Sequence, residues 1–418
     1  MSLPCRTRQF RNRIRSLCVV LLCLLWLGAA LDRALAAGQY SSGAQPGATP
    51  QSATTAKAQR IPLEITAGVD LGYDDNVIGT NSVNSNGGGS FFTRESLVLS
   101  YDRPMEQTDI RAIGVAHFSQ FLDVGTDDKA GNLTLAMTHN FSQRLTVSDD
   151  LFASYQTEPD FAADVGPENV RSPHYFITNV AAITYHWLPR LAFVTSYNFQ
   201  RVKYVENSAQ TDFQNRFDNL LSEEAVFNLT RRTILLGEYR FEDTEYDTAP
   251  LNSTTHYAIA GVDHHLTEHF DARLLGGATF RVFENGGERT DPYAEADFLY
   301  QGGNHTLGWR TSYRVEQPSV QPAVARQTIR TGLTLTYNLT SRLSSTSAFF
   351  FHHDENEGAS QNTTTSTQDS LELVLGFRYT INKHFAARLN YEYSTVTSAG
   401  DQTGYSRNRV FGGVTYTY

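Results

Sequence analysis

Cysteine is confined to the first 25 residues of this 418-residue chain, at Cys5, Cys18 and Cys23. A body without thiols has no disulfide framework, no thiolate zinc site and no cysteine nucleophile. Lysine is nearly as scarce. Of 34 basic side chains 30 are arginine, and the lysines are Lys57, Lys129, Lys203 and Lys383. With 44 acidic residues the formal net charge is -10, so a nucleic-acid partner is not expected. Long hydrophobic runs are missing past residue 36, and so are amphipathic helices. A composition 40% hydrophobic and 12% aromatic is nevertheless too apolar for a disordered chain.

What is present begins with an export signal. Arg6, Arg8, Arg11, Arg13 and Arg15 precede an apolar run from Leu17 to Leu31, and Ala34-Leu35-Ala36 offers an A-x-A cleavage site. Residues 1–36 therefore read as a signal peptide, the run being shorter than the roughly 20 residues of a spanning helix. Its removal takes the net charge to -15. Residues 37–60, built of Ala, Ser, Thr, Gln, Gly and Pro, read as a flexible periplasmic linker.

From residue 61 to 418 the recurring pattern is alternation with period two. In Leu371-Glu372-Leu373-Val374-Leu375-Gly376-Phe377-Arg378-Tyr379 one face is Leu, Leu, Leu, Phe and Tyr, and the other carries Glu372 and Arg378. Residues 307–315 and 328–337 behave likewise. Successive strand side chains point to opposite faces, so each segment has one greasy and one polar face. Tight connections recur near residues 104, 142, 188, 230, 267, 302, 340 and 382, alternating with longer polar loops such as 74–89, 157–173, 205–215, 317–325 and 354–367. Eight hairpins, a first strand near 62–73 and a last near 406–418 make 18 strands.

An even number of alternating strands, short turns on one side and long loops on the other predict an all-β, transmembrane, antiparallel up-and-down outer-membrane barrel with periplasmic turns and extracellular loops. Lipid leaves no water for backbone groups, so a spanning sheet must close on itself. Tyr185, Trp187, Phe227, Tyr246, Tyr300, Phe349, Phe350, Phe351, Tyr379 and Phe385 lie toward strand ends, as an interfacial girdle requires. The chain ends Val414-Thr415-Tyr416-Thr417-Tyr418, and Val414, Tyr416 and Tyr418 resemble the terminal signal by which the assembly machinery inserts such barrels.

Residues 65–77, Ile-Thr-Ala-Gly-Val-Asp-Leu-Gly-Tyr-Asp-Asp-Asn-Val, lead the first strand into a Tyr73-Asp74-Asp75-Asn76 turn. With the hairpin array and aromatic terminus, residues 61–418 resemble the β-barrel porin type 2 family of bacterial outer-membrane proteins. The resemblance implies the exopolysaccharide-locus type: a porin-like channel in the bacterial outer membrane, among lipid and lipopolysaccharide, exporting an extracellular polysaccharide with periplasmic export components. A general or sugar-selective diffusion porin for small solutes is the alternative. The family supplies no catalytic motif.

Strand parity places Arg273, Arg281, Arg310, Arg314, Arg326, Arg330, Arg378 and Arg388 on the lumen side, with Asp271, Glu295, Asp297, Glu316, Glu372 and Glu392. Free guanidinium groups there would favour anionic or polyhydroxylated solutes. Paired ones would form ladders that stiffen the wall. Both readings stand at this point. Acidic residues of the long loops, among them Asp74, Asp75, Asp127, Asp128, Glu158 and Asp354, suggest an acidic rim. Neither His264, His265 and His269 around Glu268 nor His352-His353-Asp354-Glu355 has the convergence of a metal site. No parity-consistent Ser–His pair stands out, so no enzyme, metal or cofactor is expected.

Overall fold

The computed structural model describes residues 62–79, 88–125, 127–158, 172–205, 209–284, 286–318, 323–358, 364–399 and 404–418. Residues 1–36 and 37–60, read as signal peptide and linker, lie outside them. The described residues form 18 strands: β1 (Leu63–Asp74), β2 (Ser90–Pro104), β3 (Thr108–Phe121), β4 (Asp127–Asn140), β5 (Leu145–Gln156), β6 (His174–Leu188), β7 (Leu191–Tyr204), β8 (Arg216–Asn228), β9 (Thr233–Tyr246), β10 (Ser253–His265), β11 (Phe270–Phe283), β12 (Glu288–Gln301), β13 (His305–Glu316), β14 (Ala325–Asn338), β15 (Leu343–Glu357), β16 (Thr364–Thr380), β17 (Phe385–Ala399) and β18 (Tyr405–Thr417). Each pairs antiparallel with its sequence neighbours, and β1 pairs with β18 from Thr66↔Thr417 to Asp74↔Arg409, closing the barrel. Strand number and terminal strands agree with the sequence pattern.

The turn residues explain the tight ends. Thr230 Oγ1 accepts the amides of Arg232 at 3.1 Å and Thr233 at 2.9 Å, and Thr340 Oγ1 those of Arg342 at 3.2 Å and Leu343 at 3.0 Å. Ser142 and Asn382 do the same in their turns. A short polar side chain that satisfies two amides of a hairpin end is the reason Ser, Thr or Asn recurs there. At the opposite end the polar stretch 354–367, expected as loop, is partly strand. Asp354 and Asn356 are buried on the inward face, and the guanidinium of Arg326 donates to Asp354 at 3.1 Å, which extends β15 to Glu357.

Leu71, Leu97, Leu135, Leu274, Leu333, Leu389 and Val410 are exposed on the outside, while the alternate positions are half-buried or buried and mostly polar. Aromatic pairs flank this belt at both ends: Trp187–Phe193 and Phe385–Tyr416 toward the turns, Tyr73–Phe91 and Tyr155–Tyr175 toward the loops. Three aromatics expected in the girdle are not in it. Phe349, outward at the middle of β15, lies in the belt beside Leu333 and Leu373. Tyr246 turns inward and donates to Gln317 at 3.1 Å, and the ring of Phe350 lies inside over Gly332, where an added Cβ would stand 3.0 Å from it. A closed barrel with an apolar outer belt between aromatic girdles is an outer-membrane barrel, and the protein resides in that membrane.

Candidate functional site: the lumen wall

All eight arginines singled out by parity lie on the inward register of their strands, opposite the exposed apolar positions, as do the six carboxylates. What surrounds them was not readable from parity. Glu316, at the loop end of β13, is almost completely buried and accepts from three guanidinium groups: Arg314 at 2.7 Å, Arg326 at 2.7 Å, and Arg330. Arg281 donates to Thr255 at 3.1 Å and to the carbonyls of Glu316 and Val315, each at 3.4 Å. Just beyond, Gln317 donates to Thr244 of β9 at 3.0 Å. The chain leaving β13 thus leans inward across β9–β12.

Arg310 pairs with Asp297, and Arg273 crosses two strands to Glu224 at 3.1 Å. Arg388 forms a two-pronged bridge to Asp70 of β1, at 2.7 and 2.6 Å. Glu295 accepts from Tyr293 at 2.7 Å, and Asp271 pairs with His265 near the turn end. Arg378 stands opposite Arg388 in the β16–β17 register. Glu372 and Glu392 line a small open pocket with Glu158, Ser394, Tyr405, Arg407 and Arg409.

That pocket belongs to a second network, of which the parity reading named only Glu372 and Glu392. Asp74, fully buried, accepts from Arg407 at 2.9 Å and from Arg409 at 3.1 Å. Asp74 also takes the amide of Asn76 at 3.0 Å, so the turn reading of this segment was correct but incomplete. Glu158, just past β5, reaches over to β18 and accepts from Arg407 at 2.7 Å and Arg409 at 2.5 Å. Glu392 accepts from Arg409 at 3.2 Å. Arg94 lies over the ring of Phe411 at 4.5 Å, beside a lumen-side apolar cluster of Val77, Phe92, Phe121 and Phe411. The acidic rim is therefore corrected at three positions. Asp74 and Asp354 are buried inside the mouth, and Glu158 reaches over one side of it.

No protein-family model matches the chain, and no curated protein does. Among solved structures it is similar to OccAB4 of Acinetobacter baumannii, at 12% identity and a TM-score of 0.42 over 86% of this chain and 99% of that one. A BenF-like porin from Pseudomonas fluorescens gives 11% and 0.44 over 85% and 98%. The siderophore receptor PirA from Pseudomonas aeruginosa gives 12% and 0.40 over 87% and 81%. What is shared is a barrel.

The sequence reading also stopped at the C-terminal half. Arg216–Asp218, Arg240–Glu238 and Arg289–Asp291 continue the pairs through β8–β12. Among the described residues of β4–β7, by contrast, no arginine or lysine points inward. That wall carries Ser, Thr, Asn and Gln, the carboxylates Asp128 and Asp150, and a cluster of Phe152, Phe176, Val202 and Tyr204. Strand parity, applied to every strand, would have found this asymmetry. At the C-terminus Val414 and Tyr418 are exposed on the outer face, and Tyr416 packs on Phe385 at 4.7 Å between rings.

Proposed function

We propose that the protein is a diffusion channel of the outer membrane for small solutes, general or sugar-selective, which sorts them by charge pattern at the loop-side mouth. The observation that carries this reading is the bridge from Glu158 at the end of β5 to Arg407 and Arg409 on β18. It joins β18 to the end of β5, five strands away round the barrel, and so closes off one side of the mouth, while the inward lean of residues 316–317 narrows the opening from β13. A polysaccharide conduit of the exopolysaccharide-locus type asks for an unobstructed bore, which the bridged mouth does not favour. Six of the eight lumen arginines, Arg273, Arg310, Arg314, Arg326, Arg330 and Arg388, are held in ion pairs, so solutes meet alternating fixed charges rather than a bare cationic ring.

Planar-bilayer conductance and liposome swelling test it. Stable ohmic channels are expected, with swelling rates that fall steeply from monosaccharide to larger oligosaccharides. Glu158→Gln should raise conductance and shift the reversal potential toward anions, by releasing Arg407 and Arg409. A barrel that inserts without conducting, or that passes long saccharide chains as fast as monosaccharides, overturns the reading.

A further inference from the structure

The lipid-facing surface is as uneven as the lumen. Over β14–β18 and β1 the outward side chains between the girdles are mostly apolar, as at Leu333, Phe349, Leu373, Leu389, Val414 and Val69, with single hydroxyls at Thr331 and Ser347 and no carboxylate among them. Over β5–β10 the same belt holds hydrogen-bonded polar groups on every strand. The Asn179 amide donates to Asp149 at 3.0 Å, the Thr195 hydroxyl to Glu223 at 2.6 Å, and Tyr239 pairs with His256 at 2.7 Å. These groups are not at the membrane edge. Asn179 lies between Tyr175 and Tyr185 on β6, and Glu223 between Phe217 and Phe227 on β8, aromatics that mark the two interfaces.

A second feature adjoins this seam. The register Ala225↔Gly237↔Ala260↔Gly276↔Ala294 runs as one row across five strands, β8 to β12. All five are outward, and a Cβ added at Gly237 or Gly276 would meet nothing within 4 Å. The row is therefore a flat strip of nearly bare backbone. Carboxylates facing hydrocarbon are unfavourable, and small residues are what lets another backbone approach closely inside a membrane.

We infer that the outer face of β5–β12 is a docking surface for a second copy of this chain. The seam holds acceptors, the carboxylates of Asp149 and Glu223, and donors, the amide of Asn179 and the hydroxyl of Tyr239, so it is complementary to itself. Acyl chains offer neither. The strip lets the two barrel walls meet at backbone distance, and the polar seam is then covered.

The scarcity of cysteine makes the test clean, since the chain past Cys23 holds no other thiol. Native mass spectrometry of the wild-type protein extracted in mild detergent should give a multiple of the single-chain mass. In outer membranes treated with an oxidant, Ala260→Cys on the strip should form a disulfide-linked dimer. Ala387→Cys, outward on β17, and the wild type should not. Glu223→Leu with Asp149→Leu should keep the heat-modifiable mobility of a folded barrel. A single-chain mass for the wild type overturns the inference. So does equal cross-linking at both positions, or cross-linking of Ala260→Cys to a different protein.

Discussion

The lumen has two walls built by one rule. Along β4–β7 the inward positions carry mostly hydroxyls and amides, with Asp128 and Asp150 the carboxylates among them, and the pairs are neutral, such as Thr178–Asn198 at 3.0 Å and, at the edge with β8, Ser196–Ser222 at 2.7 Å. From β8 round to β18 and β1 the same positions carry guanidinium and carboxylate groups, netted across strands. A neutral pair contributes about 0.5–1.5 kcal/mol, whereas stripping one partner from a buried ion pair costs about 3–5 kcal/mol. The charged wall is thus the rigid one, and a solute in the bore feels its field from one side.

The largest effect expected from this contrast is at Glu316. Glu316→Ala leaves Arg314, Arg326 and Arg330 without their shared carboxylate, and should lower stability by about 3 kcal/mol. Ser196→Ala, on the neutral wall, should cost about 1 kcal/mol. Denaturant midpoints in detergent compare the two, and equal losses would erase the distinction between the walls. Next in size is selectivity. Glu158→Gln should move the reversal potential toward anions clearly more than Asp150→Asn, the corresponding change on the inward face of β5. A third substitution writes charge onto the blank wall. Thr178→Arg places a guanidinium on the inward face of β6, where the nearest carboxylate in the register is Asp150, two residues from its β5 partner Phe152, and should lower conductance to cations while leaving the Glu158 effect intact. Additive shifts in the double variant would mean that the walls act independently.

Much of this architecture was legible because two local signals, period-two alternation and polar turn residues, suffice to fix strands and faces. Inward parity for Arg310 or Arg388 needs only neighbours in sequence. Their partners do not follow, because Arg388 finds Asp70 across the barrel closure with β18 between them, and Arg407 finds Glu158 over four intervening strands, each pair hundreds of residues apart in sequence. Loop direction was hidden for another reason. Glu158 and Asp74 have the composition of a solvated rim, and only the position of β18 decides that they turn inward. Val77 is the counterpart signal: an apolar residue in a polar loop, buried against Phe92 and Phe411. The count also misled, since eight arginines against six carboxylates came from the C-terminal half alone. The remaining inward positions add, among others, Asp70, Asp74, Asp218, Glu224, Glu238 and Glu242, and with them Arg94, Arg216, Arg240, Arg289, Arg407 and Arg409.

The smallest effect sharpens the comparison at its edge. β7 has basic residues, Arg201 and Lys203, but turns both outward, where they hold Asp247 of the β9–β10 loop at 2.7 and 2.9 Å. Hydrogen bonds from Arg201 and then Lys203 pull the Asp247 carboxyl down from 3.8 to about 2, against the opposing effect of burial. A carboxyl lowered in the folded state stabilises it at pH above its ordinary value, and that stabilisation fades as pH falls toward about 2. Pairs this exposed contribute about 0.2–1 kcal/mol. Asp247→Asn should therefore melt slightly below the wild type at pH 6, with the gap closing near pH 2. A gap that persists unchanged at the acid end would mean that the loop is held by its backbone bond, Asp247 N–H to Asn215 O at 2.9 Å, rather than by charge. The strands of the neutral wall would then owe nothing to ion pairing on either face.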